Sequence, residues 1–356
     1  MNLTMANAGL SFDDVLIKPQ KSVVASRKEV DTSSRISKNY GISLPILSSN
    51  MKTVTNVDTV LKMYKIGANG VLHRFKEHEE RVADVMALKD YSIKPIITSV
   101  GTKDDMQLLR SLAEVSHILM LDVAHAHSEH IMEFVKESLL PLKENYPHLD
   151  IVVGNVATAE ATKEYCKMGV DGLKIGIGPG AACTTRMQTG AGVPQISCIL
   201  DCYEVAKEYD VPLISDGGVR FPSDIAKAIV AGASTVMIGK EIAFTLDNTA
   251  SDVDDLTNEF FNFNTSLGSQ KKIVKKYFGN ASFQNNRTSY VEGAELSQSF
   301  NIADLPTIEG KLLMYSQSLQ SMVSYAGGRS LSDVIGKNNI LIVSSMTTIY
   351  ESGIRK

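Results

Sequence analysis

Long hydrophobic runs are missing from this chain of 356 residues. No stretch of 18 apolar residues occurs, which argues against a membrane-spanning helix. The opening MNLTMANAGLSFDD has neither a basic n-region nor an apolar h-region, so no signal peptide is expected there. Positive charge is not in excess either. There are 36 Lys and Arg against 40 Asp and Glu, a net charge of −4, so no basic excess points to nucleic acid as a partner. Cysteine is scarce: Cys166, Cys183, Cys198 and Cys202 follow neither disulfide nor metal spacing and fit reduced thiols in a cytoplasm. His125 and His127 lie close together, but no third ligand follows at metal-binding spacing. No Rossmann glycine fingerprint follows the first predicted strand, which counts against the structural alternative, a doubly wound open sheet.

What the chain does have is enough apolar content, 44%, for a large core. Short apolar runs read as strands at Leu44 to Asn50, Gly70 to His73, Pro95 to Val100, Ile118 to Val123, Ile151 to Val156, Leu173 to Gly176, Pro212 to Asp216 and Thr235 to Gly239. Helical spacing lies between them, as in Val57, Val60, Leu61 and Tyr64. Three helix-to-strand joints repeat one pattern, with a glycine ending the helix: Gly67-Ala68-Asn69, Gly169-Val170-Asp171 and Gly232-Ala233-Ser234. Eight strands alternating with helices predict a single (β/α)8 TIM barrel over residues 1–356. Residues from about 245 to 310 are polar, lack a long periodic face, and read as a flap or lid excursion after strand 8.

A barrel puts its chemistry at the C-terminal strand ends. Polar residues stand there after nearly every predicted strand: Ser49-Asn50, His73, Ser99, Asp122, Asn155, Asp216-Gly217-Gly218 and Gly239-Lys240. After strand 6 comes a loop dense in glycine, Gly176, Gly178 and Gly180, where backbone must take φ > 0 or approach a ligand closely. Cys183 is held in that loop beside Thr184, Thr185 and Arg186 and is placed like a nucleophile. Cys166, Cys198 and Cys202 fall at helical positions, where a cysteine is a small buried hydrophobe.

GIGPG-x-x-CTTR-x-x-TG-x-GVPQ, Gly176 to Gln195, resembles the catalytic loop of the IMP dehydrogenase / GMP reductase family. LSFDDVLIKP, SSNM, GNV-x-T, SDGG and YAGGRSL extend the resemblance over nearly the whole chain. It implies a barrel, usually a homotetramer, acting at C2 of a purine nucleotide (GMP or IMP) with a nicotinamide cofactor. The reductase branch resembles this chain better. No regulatory domain is inserted after His73-Arg74-Phe75, and the stretch from Tyr277-Phe278-Gly279 to Glu292-Gly293 is short for a hydrolytic flap. Its Arg287 and Tyr290 are not adjacent. Asn50-Met51, Asp122-Val123-Ala124 and Ser128-Glu129-His130 match the reductase pattern. The rivals are an NAD-dependent IMP dehydrogenase with an unusual flap and a non-catalytic nucleotide-binding paralogue.

The resemblance assigns roles residue by residue. Cys183 is the nucleophile, and Thr185 with Glu292 forms the acid pair that protonates departing ammonia. Asp216 binds the ribose hydroxyls. Gly217, Gly218 and Gly239 offer backbone N–H groups to the phosphate, Tyr277 contacts it, and Ser49, Asn50, Met51, Gly180, Lys240 and Gly279 complete the nucleotide site. Asp122, Val123, Ala124 and Gly176 face the cofactor, NADPH, with NADH or NAD as alternatives. Gly176, Gly178 and Cys183 resemble a carbonyl turn for a monovalent cation such as K+. Lys52, Ala181, Lys240 and His125-Ala126-His127 stand where the family usually has Asp, Ser, a small residue and Asn-Gly-Tyr. Lys240 is expected to supply the phosphate contact that Ala181 cannot.

Overall fold

The computed structural model describes residues 9–251, 272–280, 293–337 and 340–342. Eight parallel strands close a barrel: β1 (Ile46–Ser48), β2 (Asn69–Leu72), β3 (Ile97–Val100), β4 (Ile118–Asp122), β5 (Asp150–Val156), β6 (Gly172–Ile175), β7 (Leu213–Asp216) and β8 (Thr235–Ile238), with β8 pairing back to β1. The (β/α)8 barrel read from the sequence is the observed fold, and each strand lies within one or two residues of its predicted bounds. The strands are buried on both faces, which is why they read as apolar runs without alternation. Leu47, Val71, Ile97, Met120, Val152, Ile214 and Met237 pack inside the barrel. Leu119, Leu121, Leu173, Ile175 and Leu213 belong to the second core, under the helices.

Helices between the strands start on local caps. The Asn56 side chain accepts from Thr59 N–H at 2.9 Å ahead of α1 (Val57–Tyr64), and Thr158 accepts from Ala161 N–H at 3.2 Å ahead of the helix Ala159–Met168. From β2 the chain passes to α2 (His78–Asp90) through residues 73–77 alone. At the N-terminal end of the barrel, the hairpin of Ser34–Arg35 and Gly41–Ile42 closes the bottom. Asp150, where β5 starts, accepts from Ser37 Oγ at 2.6 Å and from Asn39 N–H at 3.0 Å, and this fixes the plug.

The stretch after β8 holds more order than its composition suggested. Within it, β9 (Lys272–Phe278) and β10 (Glu295–Asn301) pair antiparallel, with Tyr277 opposite Leu296. Period-two burial is present, but one inward residue is Lys275, fully buried, whose ammonium donates to Asn248 O at 2.8 Å. A lysine on the core face hides the strand from a hydrophobicity pattern. Tyr277, two residues on, sits edge-on to Phe244 with ring centroids 6.3 Å apart. Ile340–Ile342 pairs antiparallel with Val15–Ile17, a pairing the sequence reading did not anticipate. No helix among the described residues is long and apolar enough to cross a membrane.

The three repeated joints each carry a glycine of positive φ: +82° at Gly67, +91° at Gly169 and +130° at Gly232. Two of them differ in a way that can be measured. A Cβ on Gly169 would meet nothing within 4 Å, whereas on Gly232 it would lie 2.3 Å from Cγ of Tyr203. Gly169→Ala should therefore cost only the conformational term, ~1 kcal/mol. Gly232→Ala adds a steric term and should cost at least ~3 kcal/mol. Urea unfolding of the two variants checks the order; equal losses would contradict it.

Candidate active site

Because the strands are parallel, all their C-terminal ends open on one side, and there lies a cleft of about 830 Å³. Its wall is built from the glycine loop after β6. Gly176 and Gly178 take φ of +132° and +89°, and a Cβ on either would come within 2.5 Å of Asp216 O or Arg186 Cγ respectively. Only glycine lets the loop fold back this closely. Arg186 fastens the far side, donating to the carbonyls of Val193 at 2.5 Å and Ile177 at 3.3 Å. Gln195, buried, donates to Ile175 O at 3.1 Å and ties the loop to its strand.

Cys183 is half-buried in that loop and lines the cleft, and its Sγ lies 3.2 Å from Thr185 Oγ1. A thiol and a hydroxyl thus sit together with open space before them. The other three cysteines are free and buried on the inner faces of the helices Ala159–Met168 and Gln195–Ala206. The loop is also paired with the hairpin: Cys183 and Gly293 form an antiparallel bridge, and Ala294 N–H donates to Ala182 O at 2.7 Å. Glu292 lies outside the described residues; its neighbour Gly293 is the one bridged to Cys183.

Facing the loop, Gly217 and Gly218 turn with φ of +89° and +82° ahead of the helix Pro222–Ala231, against Gly180 and Pro179. Gly239 packs against the Tyr277 phenol; a Cβ there would stand 2.6 Å from its oxygen. Burial raises the Tyr277 pKa, with the negative charge of Asp216 adding to it, so the phenol stays protonated. Lys240 opens the next short helix, its Nζ 5.7 Å from the Phe244 ring centre, and it makes no salt bridge among the described residues. Ser49, Asn50, Met51, Gly180, Asp216 and Gly279 line the same cleft, as do Asp122, Val123 and Ala124 at the end of β4. Every described residue to which the resemblance gave a role therefore lines one cavity, whereas His73 and Ser99, also polar residues at strand ends, are buried and are not part of its lining.

The floor holds a group that the sequence reading passed over. Lys174, mid-strand in β6, points into the barrel with its side chain 2% exposed. Its ammonium donates to Asp216 Oδ2 at 2.8 Å, to Asp122 Oδ1 at 3.1 Å and to the Asn155 side-chain oxygen. Burial works against the charge on Asp122, but Lys174 and then Arg74, whose Nε is 4.0 Å away, hold its pKa below the usual carboxylate range. Arg74 and Asn280 were not anticipated either. Asn280 Nδ2 donates to Asp122 Oδ2 at 2.9 Å. The available signal was a single lysine in an otherwise apolar buried strand, a residue that is almost never buried unless paired.

His73, after β2, is buried, and its Nδ1 accepts from Phe75 N–H at 3.2 Å, which requires a neutral ring. Burial first, then Lys76, Lys52 and Arg81, lower its pKa to about 4. Above pH ~6.5 the ring is neutral folded or unfolded and contributes no pH dependence. As pH falls from there towards 4, only the unfolded chain takes the proton, so stability is lost, by about 3 kcal/mol. His73→Asn keeps an acceptor for Phe75 without a titrating ring. Its stability, measured from pH 7 to pH 4, should fall less steeply than that of the wild type; parallel curves would contradict this.

Residues 9–354 match the family model described as IMP dehydrogenase / GMP reductase domain. The inosine-5'-monophosphate dehydrogenase of Cryptosporidium parvum is 31% identical, with 98% of this chain and 94% of that protein covered. The GMP reductase of Bacillus subtilis (strain 168) is 32% identical, with 94% and 96% covered. A GMP reductase of Streptococcus agalactiae is also 32% identical, with 94% and 95% covered. Relatives named for two reactions thus stand at nearly equal identity, and identity does not choose between them. Both kinds are similar to this chain along almost its whole length, over the same barrel whose strand ends carry the cleft, and the chain belongs to the IMP dehydrogenase / GMP reductase family of oxidoreductases.

Proposed function

We propose that the protein is a GMP reductase: GMP + NADPH + H⁺ → IMP + NH₃ + NADP⁺. The observation that carries the chemistry is the Cys183–Thr185 pair, 3.2 Å apart, on the cleft wall facing the Asp216, Gly217 and Gly239 side. The nucleotide rests there with its ribose hydroxyls on Asp216 and its phosphate on the N–H groups of Gly217, Gly218 and Gly239. Cys183 Sγ bonds to C2 of the purine. The C2–N bond then breaks, and ammonia leaves with a proton delivered through Thr185 and Glu292. When bound, the reduced nicotinamide supplies hydride to C2. The C2–S bond breaks, Cys183 leaves as thiolate and IMP is formed.

Asp122, Val123 and Ala124 border the cleft where the cofactor ring would lie, and the Asp122 carboxylate suits a carboxamide N–H. The Gly176 carbonyl already accepts from Asn155 Nδ2 at 2.7 Å, so a cation on the carbonyls of Gly176, Gly178 and Cys183 would share that oxygen. No step is routed through it. The reductase is preferred over the dehydrogenase on chain length. Thirteen residues separate Gly279 from Gly293, and Arg287 and Tyr290 in that stretch are not adjacent. NADPH preference, a homotetramer and a cytoplasmic setting belong to the same reading.

Absorbance of the reduced cofactor tests it. Loss of signal with GMP, abolished in Cys183→Ser by at least ~thousandfold in kcat, supports the reductase. A rise in signal with IMP and NAD would contradict it and favour the dehydrogenase; saturable nucleotide binding with neither turnover would favour the paralogue. Lys240→Gly should raise the KM for GMP by about tenfold and leave kcat within about twofold, because a charge-assisted phosphate contact acts on ground and transition state alike. An unchanged KM would remove Lys240 from the phosphate site.

A further inference from the structure

An ammonium has three N–H donors. Those of Lys174 meet three acceptors on three neighbouring strands: Asp122 on β4, Asn155 on β5 and Asp216 on β7. None remains for a ligand. Whatever Lys174 does in the reaction, it does through these groups. Asp216 Oδ2 is occupied twice, by Lys174 and by Asn155 Nδ2 at 2.9 Å, while Oδ1 has no partner among the described residues. Asp216 lines the cleft, and its side chain is one-fifth exposed. One oxygen of the carboxylate is thus locked to the floor and the other offered to the cleft. Asp122 is anchored in the same way by Oδ1, with Oδ2 towards Asn280 and Arg74.

We infer that Lys174 is a positioning residue that holds Asp216 and Asp122 as one electrostatic unit and sets the nucleotide affinity of Asp216; the inference rests on the nucleotide reading given above. One positive charge is shared between two carboxylates. Without it, two like charges face each other in a dry floor, and each must take up a proton or turn away. Either outcome loses the fixed acceptor that ribose hydroxyls require. The sharing also makes the two carboxylates interdependent. If Asp122 loses its charge, the ammonium is held by Asp216 alone, and less of that carboxylate's charge is left for a hydroxyl donor.

The test is the Kd for GMP, measured by titration calorimetry without cofactor, on the full chain. Lys174→Met should weaken GMP by at least ~tenfold, and Lys174→Arg, which keeps the charge, should return it to within about threefold of wild type. Asp122→Asn, across the ammonium from Asp216, should weaken GMP by about threefold or more, and it decides the matter if Lys174→Met does not fold. Thermal midpoints are recorded alongside. A lower midpoint with unchanged Kd in Lys174→Met, an Arg variant no better than Met, or an unaltered Kd in Asp122→Asn would each overturn the inference. Wild-type protein that binds no GMP would overturn the nucleotide reading itself, and this inference with it.

Discussion

Closure of eight parallel strands is the constraint on which everything else depends. Once β8 pairs with β1, the barrel closes and none of its eight strands is left as an edge. Parallel direction then brings all C-terminal ends to one side and all N-terminal ends to the other. The N-terminal side is sealed by the 34–42 hairpin on Asp150. The C-terminal side is left to loops, and these loops are where glycine, cysteine and carboxylates collect. Stability and chemistry are divided between the two ends of one barrel.

Inside the cleft, backbone geometry and charge do different work. The turns at Gly176, Gly178, Gly217 and Gly218 all take positive φ, and a Cβ on Gly176 or Gly178 would come within 2.5 Å of its neighbours, so the backbone itself lines the cleft there. The buried charges meet at the floor, where Lys174 sits between Asp122 and Asp216, while Arg186, Arg220, Lys240 and Glu241 also line the cleft. That arrangement costs desolvation, and it is sustained because each buried charge has a close partner. Cys183 stands between these regions, tied to the hairpin through Gly293. The loop that carries Cys183 and the strand that follows Gly293 are thereby hydrogen-bonded to each other.

Most of the fold was legible in the sequence for physical reasons. Strands buried on both faces leave uninterrupted apolar runs, such as ILMLD at β4, and helices that must end sharply leave glycine at the joint. The loop after β6 was legible because backbone at positive φ packed this closely, as at Gly176 and Gly178, can be written only in glycine. The salt-bridged floor was not. Lys174 finds its partners 52 and 42 residues away, and only closure of the barrel makes them neighbours. The hairpin escaped notice because Lys275, on its inward face, breaks the apolar alternation. Arg74 and Asn280 become relevant only once Asp122 is placed between them.

The central claim is that hydride reaches C2 of a purine held on Cys183. The most direct measurement uses GMP with reduced nicotinamide cofactor carrying deuterium at the transferring position, followed by mass spectrometry of the nucleotide product. The account predicts IMP that is one mass unit heavier, with deuterium at C2 and one ammonia released per nucleotide. Unlabelled IMP, or an oxidised nucleotide formed from IMP and NAD in place of any reaction with GMP, would contradict it.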